Sequence, residues 1–304
     1  MIINQAGLDA LFVGFKTNFQ TGFAGAPSVY KHVAMIVPSQ TAEENYSWLG
    51  QFPSVREWIG PRHVRNLMAQ TYIVKNKRFE STVAVPRESI EDDRMGVFAA
   101  PMEELGRAAG DHPDQLVLGL LKAGFTEACY DGQSFFDTDH PFTDGEAPAA
   151  SVSNLQAGAG DAWFLLDTSR AMKPLIYQQR LPYVLTALDQ DRDRGVFLHD
   201  EYTYGTRGRS NAGFGFWQLA FASKADLTAA NYEAARAAMA AFKGEAGRPL
   251  GIKPDTMVVP PSLEGAAMRL LNNGTRVTVV NDTPVAIQNE WAGTAKLIVT
   301  PWVA

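Results

Sequence analysis

The chain has 304 residues, of which 46% are hydrophobic and 20% are charged, and its formal net charge is -6. This composition is that of a folded globular protein, so extensive disorder is excluded. A net negative charge without a long basic run does not fit tight nucleic-acid binding, which needs cations to neutralise phosphates. A chain of this length is expected to form two compact units, because one core stops growing at roughly 250–300 residues.

Cys129 is the only cysteine, which excludes an intrachain disulfide and a zinc site of paired thiolates. Such sparse use of cysteine is typical of a reducing cytoplasm. Residues 1–10 lack a basic region followed by an apolar core, so no signal peptide is expected. No apolar run approaches the ~18 residues of a membrane span, so no transmembrane helix is expected.

Residues 1–45 have the character of an arm. Apolar residues recur there at helical spacing, at Leu8, Leu11, Phe12 and Phe15. This spacing predicts a short amphipathic helix, which the glycine-containing segment 20–27 is expected to break. An apolar run at 33–37 ends at Pro38. Such an arm cannot bury its apolar face within itself, so we expect it to pack on the body or on a neighbouring subunit.

Residues 46–86 are predicted to form an extended segment outside the compact body. Aromatic segments around Trp48 and Trp58 are closed by turn residues. Two runs rich in β-branched and aromatic residues, 72–74 and 79–85, flank the polar stretch 75–78 and predict a long two-stranded ribbon. An isolated ribbon is marginally stable in water, so this one is expected to lie on another surface, such as the next subunit.

The clearest helical pattern lies in residues 87–125. Apolar residues are spaced four, three and four apart at Phe98, Met102, Leu105 and Ala109. The apolar stripe continues beyond Pro113 to Phe125, and Gly124 is a candidate C-terminal cap. Because proline removes a backbone donor and clashes one turn back, a kink or break is expected near 110–112. A continuous helix from about 92 to 123 would span roughly 45 Å.

Residues 150–304 mix short strands with helices. Strands are predicted at 163–166, 175–177, 196–198, 216–221, 257–259, 277–280 and 297–299. Thr228 and Ser262 are the predicted N-caps of two helices. Strands and helices do not alternate regularly, so a doubly wound parallel sheet is disfavoured and an α+β fold is predicted.

Separate motifs along the chain carry a family resemblance. They are WLG at 48–50, EWIG at 57–60, EDDRMGVF at 91–98, EELGR at 103–107, LLKAGF at 120–125, CYDGQSFFD at 129–137 with His140 and Pro141, NAGFGFWQLA at 211–220, PLGI at 249–252 and VVPP at 258–261. In this order they resemble the major head subunits of Mu-like phages, the gpT family. The resemblance extends from near residue 1 to near residue 300.

The resemblance implies the capsid fold of tailed phages, known as the Hong Kong 97-type fold. On that template, 1–45 is the N-terminal arm and 46–86 the extended β-loop. The peripheral domain with its spine helix occupies 87–149 plus a returning segment from the C-terminal part, and 150–304 is mainly the axial domain. Some relatives crosslink their subunits through Lys–Asn isopeptide bonds, and the residues of that chemistry cannot be matched here.

The function implied by the resemblance is that of a major capsid protein, which self-assembles into an icosahedral shell around double-stranded phage DNA. The implied partners are other copies in hexamers and pentamers, separate scaffold and portal proteins, a potential decoration protein, and packaged DNA through non-specific contact. No membrane and no cofactor are expected. The implied location is the virion, after assembly in the host bacterial cytoplasm. Expansion by subunit rotation and straightening of the spine helix is likewise implied.

Contacts between subunits are predicted at exposed charges and aromatic residues. The candidates are Trp48, Trp58, Arg62, Arg65, Lys75, Lys77, Arg78, Phe79, Glu103, Glu104, Arg207 and Arg209. Cations of the early segment are expected to pair with acids such as Glu103 and Glu104 on an adjacent copy. Each exposed pair contributes only about 0–1 kcal/mol, but repetition over a closed shell adds many of them. Arg207 and Arg209 could instead contact phosphate or DNA, or lie in a solvated loop.

For three groups of residues, a structural role fits the sequence better than a chemical one. Cys129 with His140 could form a thiol nucleophile and its base, although a buried apolar thiol fits better. Asp131, Asp137, Asp139, His140 and Asp144 are hard metal ligands, but Pro141 and Phe142 stand where a calcium loop needs a ligand and a glycine. Gly213-Phe214-Gly215 lacks the helix that a phosphate loop requires. We therefore predict no catalytic, metal or cofactor residues.

Two other functional classes remain open at this point. One is a different phage structural subunit, such as a tail-tube or portal protein; a tube protein is more uniformly β and a portal has longer helices. The other is a cysteine hydrolase that uses Cys129 and His140.

Overall fold

The computed structural model describes residues 5–49, 71–92, 96–142, 150–244, 248–280 and 283–304. Seven α-helices are assigned there: α1 Gln5–Gly25, α2 Tyr30–Val33, α3 Arg87–Glu91, α4 Ala99–Ala123, α5 Arg194–His199, α6 Ala229–Ala240 and α7 Glu264–Leu271. None of these helices is long and apolar enough to cross a membrane. The mixture of helix and sheet is the α+β fold that the sequence predicts.

The first sheet has four strands in the order β1-β9-β10-β4. Their bounds are β1 Ala34–Pro38, β4 Lys77–Pro86, β9 Leu175–Leu188 and β10 Glu201–Phe214. β9 and β10 form a long antiparallel hairpin, β4 adds to β10 antiparallel, and β1 adds to β9 in parallel. α1 and α4 pack together on one face of this sheet.

The second sheet has five short strands in the order β15-β12-β8-β11-β7. They are β7 Leu155–Gln156, β8 Trp163–Leu166, β11 Ala220–Ser223, β12 Thr256–Val259 and β15 Lys296–Val299. β8, β11 and β12 are buried at every position, which explains their unbroken apolar runs. Three strand pairs complete the described sheets: β2 Glu43–Asn45 with β3 Ile73–Lys75, β5 His140–Phe142 with β6 Ala150–Val152, and β13 Thr275–Val280 with β14 Thr283–Gln288.

Two buried clusters correspond to the two sheets. The larger surrounds the five-stranded sheet and includes Trp163, Phe164, Phe135 and Trp217. The smaller lies between the helices and the four-stranded sheet, where Phe15 and Phe19 of α1 meet Met102 of α4 and Tyr204 of β10. The described residues therefore form two hydrophobic cores, as the chain length suggests.

Helix α1 is longer than predicted, since it continues to Gly25 through the segment that was expected to break it. Gly22 of this helix is a contact point and not a break. A Cβ atom added to Gly22 would overlap the carbonyl oxygen of Glu103, and one added to Gly106 of α4 would overlap the carbonyl oxygen of Phe19. These glycines let two helix backbones approach each other, and that contact offsets their low helix propensity.

Helix α4 is one element of 25 residues with Pro113 inside it, so the helix is not broken near 110–112. The other outcome expected there, a kink, stays a prediction. The helix also begins at Ala99 and not near 92. Contacts on both sides of the proline hold the helix direction: His112 packs on Phe79 with ring centroids 4.2 Å apart, and Asp114 accepts hydrogen bonds from Val29 N and Tyr30 N. These tertiary contacts outweigh the local cost of proline.

The predicted ribbon between 72–74 and 79–85 is also wrong in its pairing. β3 pairs with β2, whereas β4 pairs with β10. One residue, Asn76, separates β3 from β4, which is too short for a hairpin turn. Its side-chain amide donates to Ser39 Oγ at 2.8 Å and its oxygen accepts from Gln178 Nε2 at 2.9 Å. The Asn76 side chain thus binds the extended segment to the sheet, and the chain does not reverse direction there.

Three local predictions in the C-terminal half differ from the structure. Residues 196–198 form part of helix α5 and not a strand. Ser262 lies in a 3₁₀ turn, and its hydroxyl donates to Asp161 Oδ2 at 2.6 Å, so it does not cap α7. The predicted strand at 216–221 begins only at Ala220, after a 3₁₀ turn. Thr228 is confirmed as the N-cap of α6, because its hydroxyl accepts from Asn231 N.

The glycine contact between α1 and α4 makes a testable prediction. Gly106→Ala should lower the free energy of unfolding by about 1–3 kcal/mol, because the added methyl overlaps the α1 backbone. The matched control is Gly119→Ala on the same helix, where nothing lies within 4 Å of the added Cβ atom. That control should raise the free energy of unfolding by about 0.5–1 kcal/mol. Urea denaturation of both variants measures the difference, and stabilisation by Gly106→Ala would contradict the close contact.

Candidate interaction surfaces

The exposed face of the four-stranded sheet carries cations near one end. From Glu201 to Asn211 the even-numbered residues of β10 are buried and the odd-numbered ones are more exposed. Arg209 lies opposite Arg78 of β4 in the strand register. Like charges opposite each other repel. We define the basic sheet end as Arg78, Arg207 and Arg209. Lys77 lies opposite the buried Ser210 and so belongs to the other face, on which Phe79 packs against His112 of α4.

Two residues bear on the charge of the basic sheet end. Arg207 lies opposite Glu80 in the strand register, so one carboxylate is a neighbour of this cation. The Nε atom of Arg209 is buried and has no hydrogen-bond partner within the described part of the chain. The side chain of Arg209 is therefore only partly satisfied by its own molecule. Because the Nε atom of Arg209 is buried, an external anion would meet the exposed side chains of Arg78 and Arg207 instead.

Lys75 lies on β3, and its Nζ atom is 3.7 Å from Glu43 Oε2. The lysine side chain is 78% exposed, so the pair is weak, at about 0–1 kcal/mol. It therefore leaves Lys75 available to another acid.

The predicted acidic partners lie on the helix layer. Glu103 and Glu104 are exposed on α4 and line a groove at its crossing with α1. The other residues of this acidic groove are Thr21, Gly22, Gly25, Ala100 and Arg107. Because α4 packs on the buried face of the sheet and the basic sheet end is on its exposed face, the two charged surfaces are separate. One copy can therefore present both surfaces to different neighbours.

The aromatic candidates are engaged within the chain. Trp48 is partly buried against Phe216, with ring centroids 5.9 Å apart, and Phe79 packs on His112. Trp58, Arg62 and Arg65 lie outside the described residues. The role of all these residues between subunits stays a prediction.

A compact polar cluster lies where the sequence placed a possible thiol site. Asp131 is its centre, since Oδ1 accepts from Cys129 Sγ at 3.0 Å and Oδ2 lies 2.8 Å from His140 Nδ1. The backbone N–H of Gln133 also donates to Asp131 Oδ1. His140 stacks on Trp217 with ring centroids 4.0 Å apart. One carboxylate thus joins three parts of the loop between α4 and β5.

The electrostatics of this cluster favour a neutral thiol. Burial, and then the negative charge of Asp131, raise the pKa of Cys129 above its ordinary value. For Asp131, burial alone would raise the pKa, but hydrogen bonds from His140 and Cys129 outweigh it and the pKa is lowered. Cys129 therefore donates to a carboxylate and is not activated by an imidazole base, which does not fit a cysteine hydrolase.

Metal binding is not favoured by the same geometry. Ligand atoms of Cys129, Asp131 and His140 lie within 4.8 Å of one another. However, both oxygens of Asp131 already accept hydrogen bonds, and a thiol with a raised pKa is a poor ligand. Of the other predicted ligands, Asp137 accepts from Thr138 N at 2.6 Å in a local turn, and Asp144 lies outside the described residues. Asp139 is not part of this group.

The Gly213–Gly215 segment is a packing element. A Cβ atom on Gly213 would lie 2.6 Å from Val74 Cγ2, and one on Gly215 would lie 2.5 Å from the carbonyl oxygen of Lys173. Phe214 N donates to the hydroxyl of Tyr72 at 2.8 Å. These glycines end β10 where other chain segments lie close to it, which does not fit a phosphate loop.

Comparison with known proteins gives consistent matches. The model of the family described as Mu-like prophage major head subunit gpT matches residues 8–303. The major capsid protein of Escherichia phage Mu is 41% identical over 309 residues, covering 100% of both chains. The Mu-like prophage FluMu major head subunit of Haemophilus influenzae is 46% identical over 290 residues, covering 93% of this chain and 92% of the relative.

Solved capsid structures match the fold. A subunit of the procapsid of bacteriophage JBD30 superimposes with a TM-score of 0.84 and 48% identity, covering 99% of this chain and 100% of that one. A subunit of the JBD30 capsid gives a TM-score of 0.77 and 34% identity, with 100% of both chains covered. The tailed-phage capsid fold that the sequence motifs imply is confirmed.

The Asp131 cluster gives a prediction for stability. Asp131→Ala should lower the free energy of unfolding by about 2–4 kcal/mol at pH 7, because several buried donors lose their acceptor. Cys129→Ala removes one weak donor and should cost about 1 kcal/mol or less. Denaturant titration measures both, and equal losses would contradict the central role of Asp131.

The sign of the pH dependence follows from the lowered pKa of Asp131. Its folded-state pKa lies below the ordinary value of 3.8. The stability that the ionised Asp131 carboxylate contributes is therefore fully present above that pH and is lost as the pH falls through the folded-state pKa. The wild type should therefore lose more stability on acidification below about pH 4 than Asp131→Ala does.

Proposed function

Because this chain belongs to the Mu-like major head subunit family, we propose that it is a major capsid protein, which self-assembles into the icosahedral shell that encloses phage double-stranded DNA. The family match over nearly the whole chain carries this conclusion. The fold supports it independently, since capsid subunits superimpose on the chain from end to end.

The division into capsid domains is part of this proposal. The arm is 1–45, the extended loop 46–86, the peripheral domain 87–149 and the mainly axial domain 150–304. The smaller core supports a peripheral unit that also takes in the returning strands β9 and β10. The five-stranded sheet with α6 and α7 supports an axial unit, whose core also takes in Val117, Leu121 and Phe135 from the proposed peripheral segment.

Exposed apolar residues support assembly into a closed shell. Large apolar side chains are exposed at widely separated places, among them Val13, Val97, Val184, Phe197 and Val277. A shell subunit meets several neighbours through different surfaces, because contacts between unlike patches close into rings.

Charge pairing between copies is the proposed role of the two charged surfaces. The basic sheet end and Lys75 of one copy would meet Glu103 and Glu104 of the next, and the cations Arg62 and Arg65 would add to this contact. The opposite signs of the two surfaces and their separate positions support the pairing. Each contact is weak and screened by salt, so assembly should depend on ionic strength.

Other partners follow from the same proposal. We expect separate scaffold and portal proteins and only non-specific contact with packaged DNA, consistent with the net charge of -6. One JBD30 capsid structure is decorated with minor capsid protein trimers, which supports a decoration protein here too. Assembly in the host cytoplasm, no cofactor and no catalytic role complete the proposal.

The alternatives are less consistent with the site and the family. A tail-tube or portal identity disagrees with the family match. A cysteine hydrolase needs an activated thiol, whereas Cys129 is buried and donates to Asp131.

Electron microscopy provides the direct test of function. The chain expressed in bacteria, alone and together with a scaffold protein from a Mu-like phage, should form closed icosahedral particles visible by negative stain. Cys129→Ala should form the same particles, because the thiol has no role in assembly. A chain that stays monomeric under both conditions would contradict the proposal, as would a hydrolytic activity that Cys129→Ala abolishes.

Charge reversal tests the proposed pairing. Glu103→Lys combined with Glu104→Lys should reduce particle yield at least tenfold at low salt, and Arg78→Glu combined with Arg209→Glu should restore part of it. The control is Glu233→Lys on α6, an equally exposed acid outside the groove. Light scattering at several salt concentrations measures assembly. Equal yields for the Glu103/Glu104 variant and the control would exclude the pairing.

A further inference from the structure

The turn between α7 and β13 contains the only Asn-Gly pair of the sequence, Asn273-Gly274. Asparagine is chemically labile where the next backbone nitrogen can attack its side-chain amide, and a following glycine permits this attack because it has no Cβ atom to hinder it. Both residues are exposed. Asn272 is exposed as well, but a residue with a side chain follows it. The turn therefore places a reactive asparagine beside a less reactive one.

Hydrogen bonds do not restrain the groups that would react. The backbone nitrogen of Gly274 and the side-chain amide of Asn273 have no hydrogen-bond partner in the part of the chain that the structure describes. The backbone of Gly274 lies outside the left-handed region, and nothing lies within 4 Å of a Cβ atom built on it. The segment therefore has room to turn the Gly274 nitrogen towards the Asn273 side chain.

The carbonyl groups of the same turn are held by one buried residue, Asn289. Its Nδ2 atom donates to Asn273 O at 2.7 Å and to Leu270 O at 2.8 Å, and its backbone nitrogen donates to Gly274 O at 3.0 Å. Asn289 is only 4% exposed, so water does not readily replace these bonds. The length of the backbone between α7 and β13 therefore matters, because Asn289 bonds carbonyl groups at both ends of the turn.

The surroundings of Asn273 favour a negative charge. Asn273 lines a cavity of about 410 Å³ together with Arg269 and Arg276. Arg276 is paired with Glu290, with its Nε atom 2.9 Å from Oε2, whereas Arg269 has no ion pair among the described residues. A carboxylate created at position 273 would share this cavity with two cations, and nearby cations favour the ionised form of a carboxyl group.

We propose that Asn273 is a site of spontaneous deamidation. The Gly274 nitrogen attacks the side-chain carbonyl carbon of Asn273 and closes a succinimide ring, while the Gly274 amide proton and the side-chain NH2 group leave together as ammonia. Water then opens the ring. Cleavage at the side-chain carbonyl gives aspartate, and cleavage at the main-chain carbonyl gives isoaspartate.

The two products differ in their effect on the fold. Aspartate adds a negative charge and keeps the backbone unchanged. Isoaspartate also inserts one carbon atom into the backbone between α7 and β13, which displaces the Asn273 carbonyl group from Asn289. The inference goes beyond the proposed function and does not depend on it, because the reaction needs only the folded chain and water.

Mass spectrometry tests the reaction. Trypsin cuts after Arg269 and Arg276, so residues 270–276 form one peptide that contains both Asn272 and Asn273. The folded full-length chain is incubated at neutral pH for the time in which the synthetic peptide 270–276 becomes half deamidated, with a sample at time zero as reference. Deamidation at Asn273 should exceed that at Asn272 at least tenfold. An intact Asn273 after this time, or equal reaction at the two asparagines, would overturn the proposal.

Gly274→Ala is the matched variant, because the added methyl group meets no atom within 4 Å and yet hinders the attack by the backbone nitrogen. Its melting temperature should equal that of the fresh wild type, and its deamidation at Asn273 should be at least tenfold slower. An unchanged rate in this variant would exclude attack by the Gly274 nitrogen and so overturn the mechanism.

Asn273→Asp separates the effect of charge from that of backbone length. This variant should keep the melting temperature of the fresh wild type, whereas the aged wild type that contains isoaspartate should melt at a lower temperature, because Asn289 loses an acceptor. Aged Gly274→Ala should not show this decrease. An aged wild type with isoaspartate at position 273 and an unchanged melting temperature would overturn the proposed effect on the turn.

Discussion

The β9–β10 hairpin is the element on which the rest of the structure depends, because it enters both hydrophobic cores. Leu175 and Ile176 of β9, with Phe214 of β10, belong to the larger core. Farther along the same strands, Leu185 and Tyr204 belong to the smaller one. The two compact units are therefore joined by paired backbone over many residues and not by a flexible linker. Pairing of this length restricts independent motion of the two units.

Attachment of the arm to this frame combines close packing with one buried charge. Asp114 of α4 accepts hydrogen bonds from Val29 N, Tyr30 N and Ser28 Oγ, which fixes the chain as it leaves α1. Burial raises the pKa of Asp114, although these hydrogen bonds act in the opposite direction. Two polar groups in the smaller core are buried without compensation. The hydroxyls of Tyr202 and Tyr204 beneath α1 are buried without a hydrogen-bond partner among the described residues.

Sequence reasoning succeeded where local chemistry decides the outcome. The cap at Thr228 and the buried strand at 163–166 depend on nearby residues, and the motifs identified the family and its fold. It failed where distant contacts decide. The helix continues through Pro113 because contacts on either side hold α4. The single residue Asn76 is too short a connection for a hairpin, and Gly22 of α1 makes room for the α4 backbone. For the polar cluster, Cys129 and Asp131 are close in sequence, but Trp217 joins them only through the fold.

Exposed apolar side chains lie on rigid elements of the chain, as at Phe197. Standing singly, such side chains are ordinary on the surface of a monomer. In a shell, neighbouring copies can cover them, and burial of that apolar surface then favours the assembled state. The sequence therefore specifies a monomer stable enough to fold but with contacts left open, so that part of its stabilisation comes only with assembly.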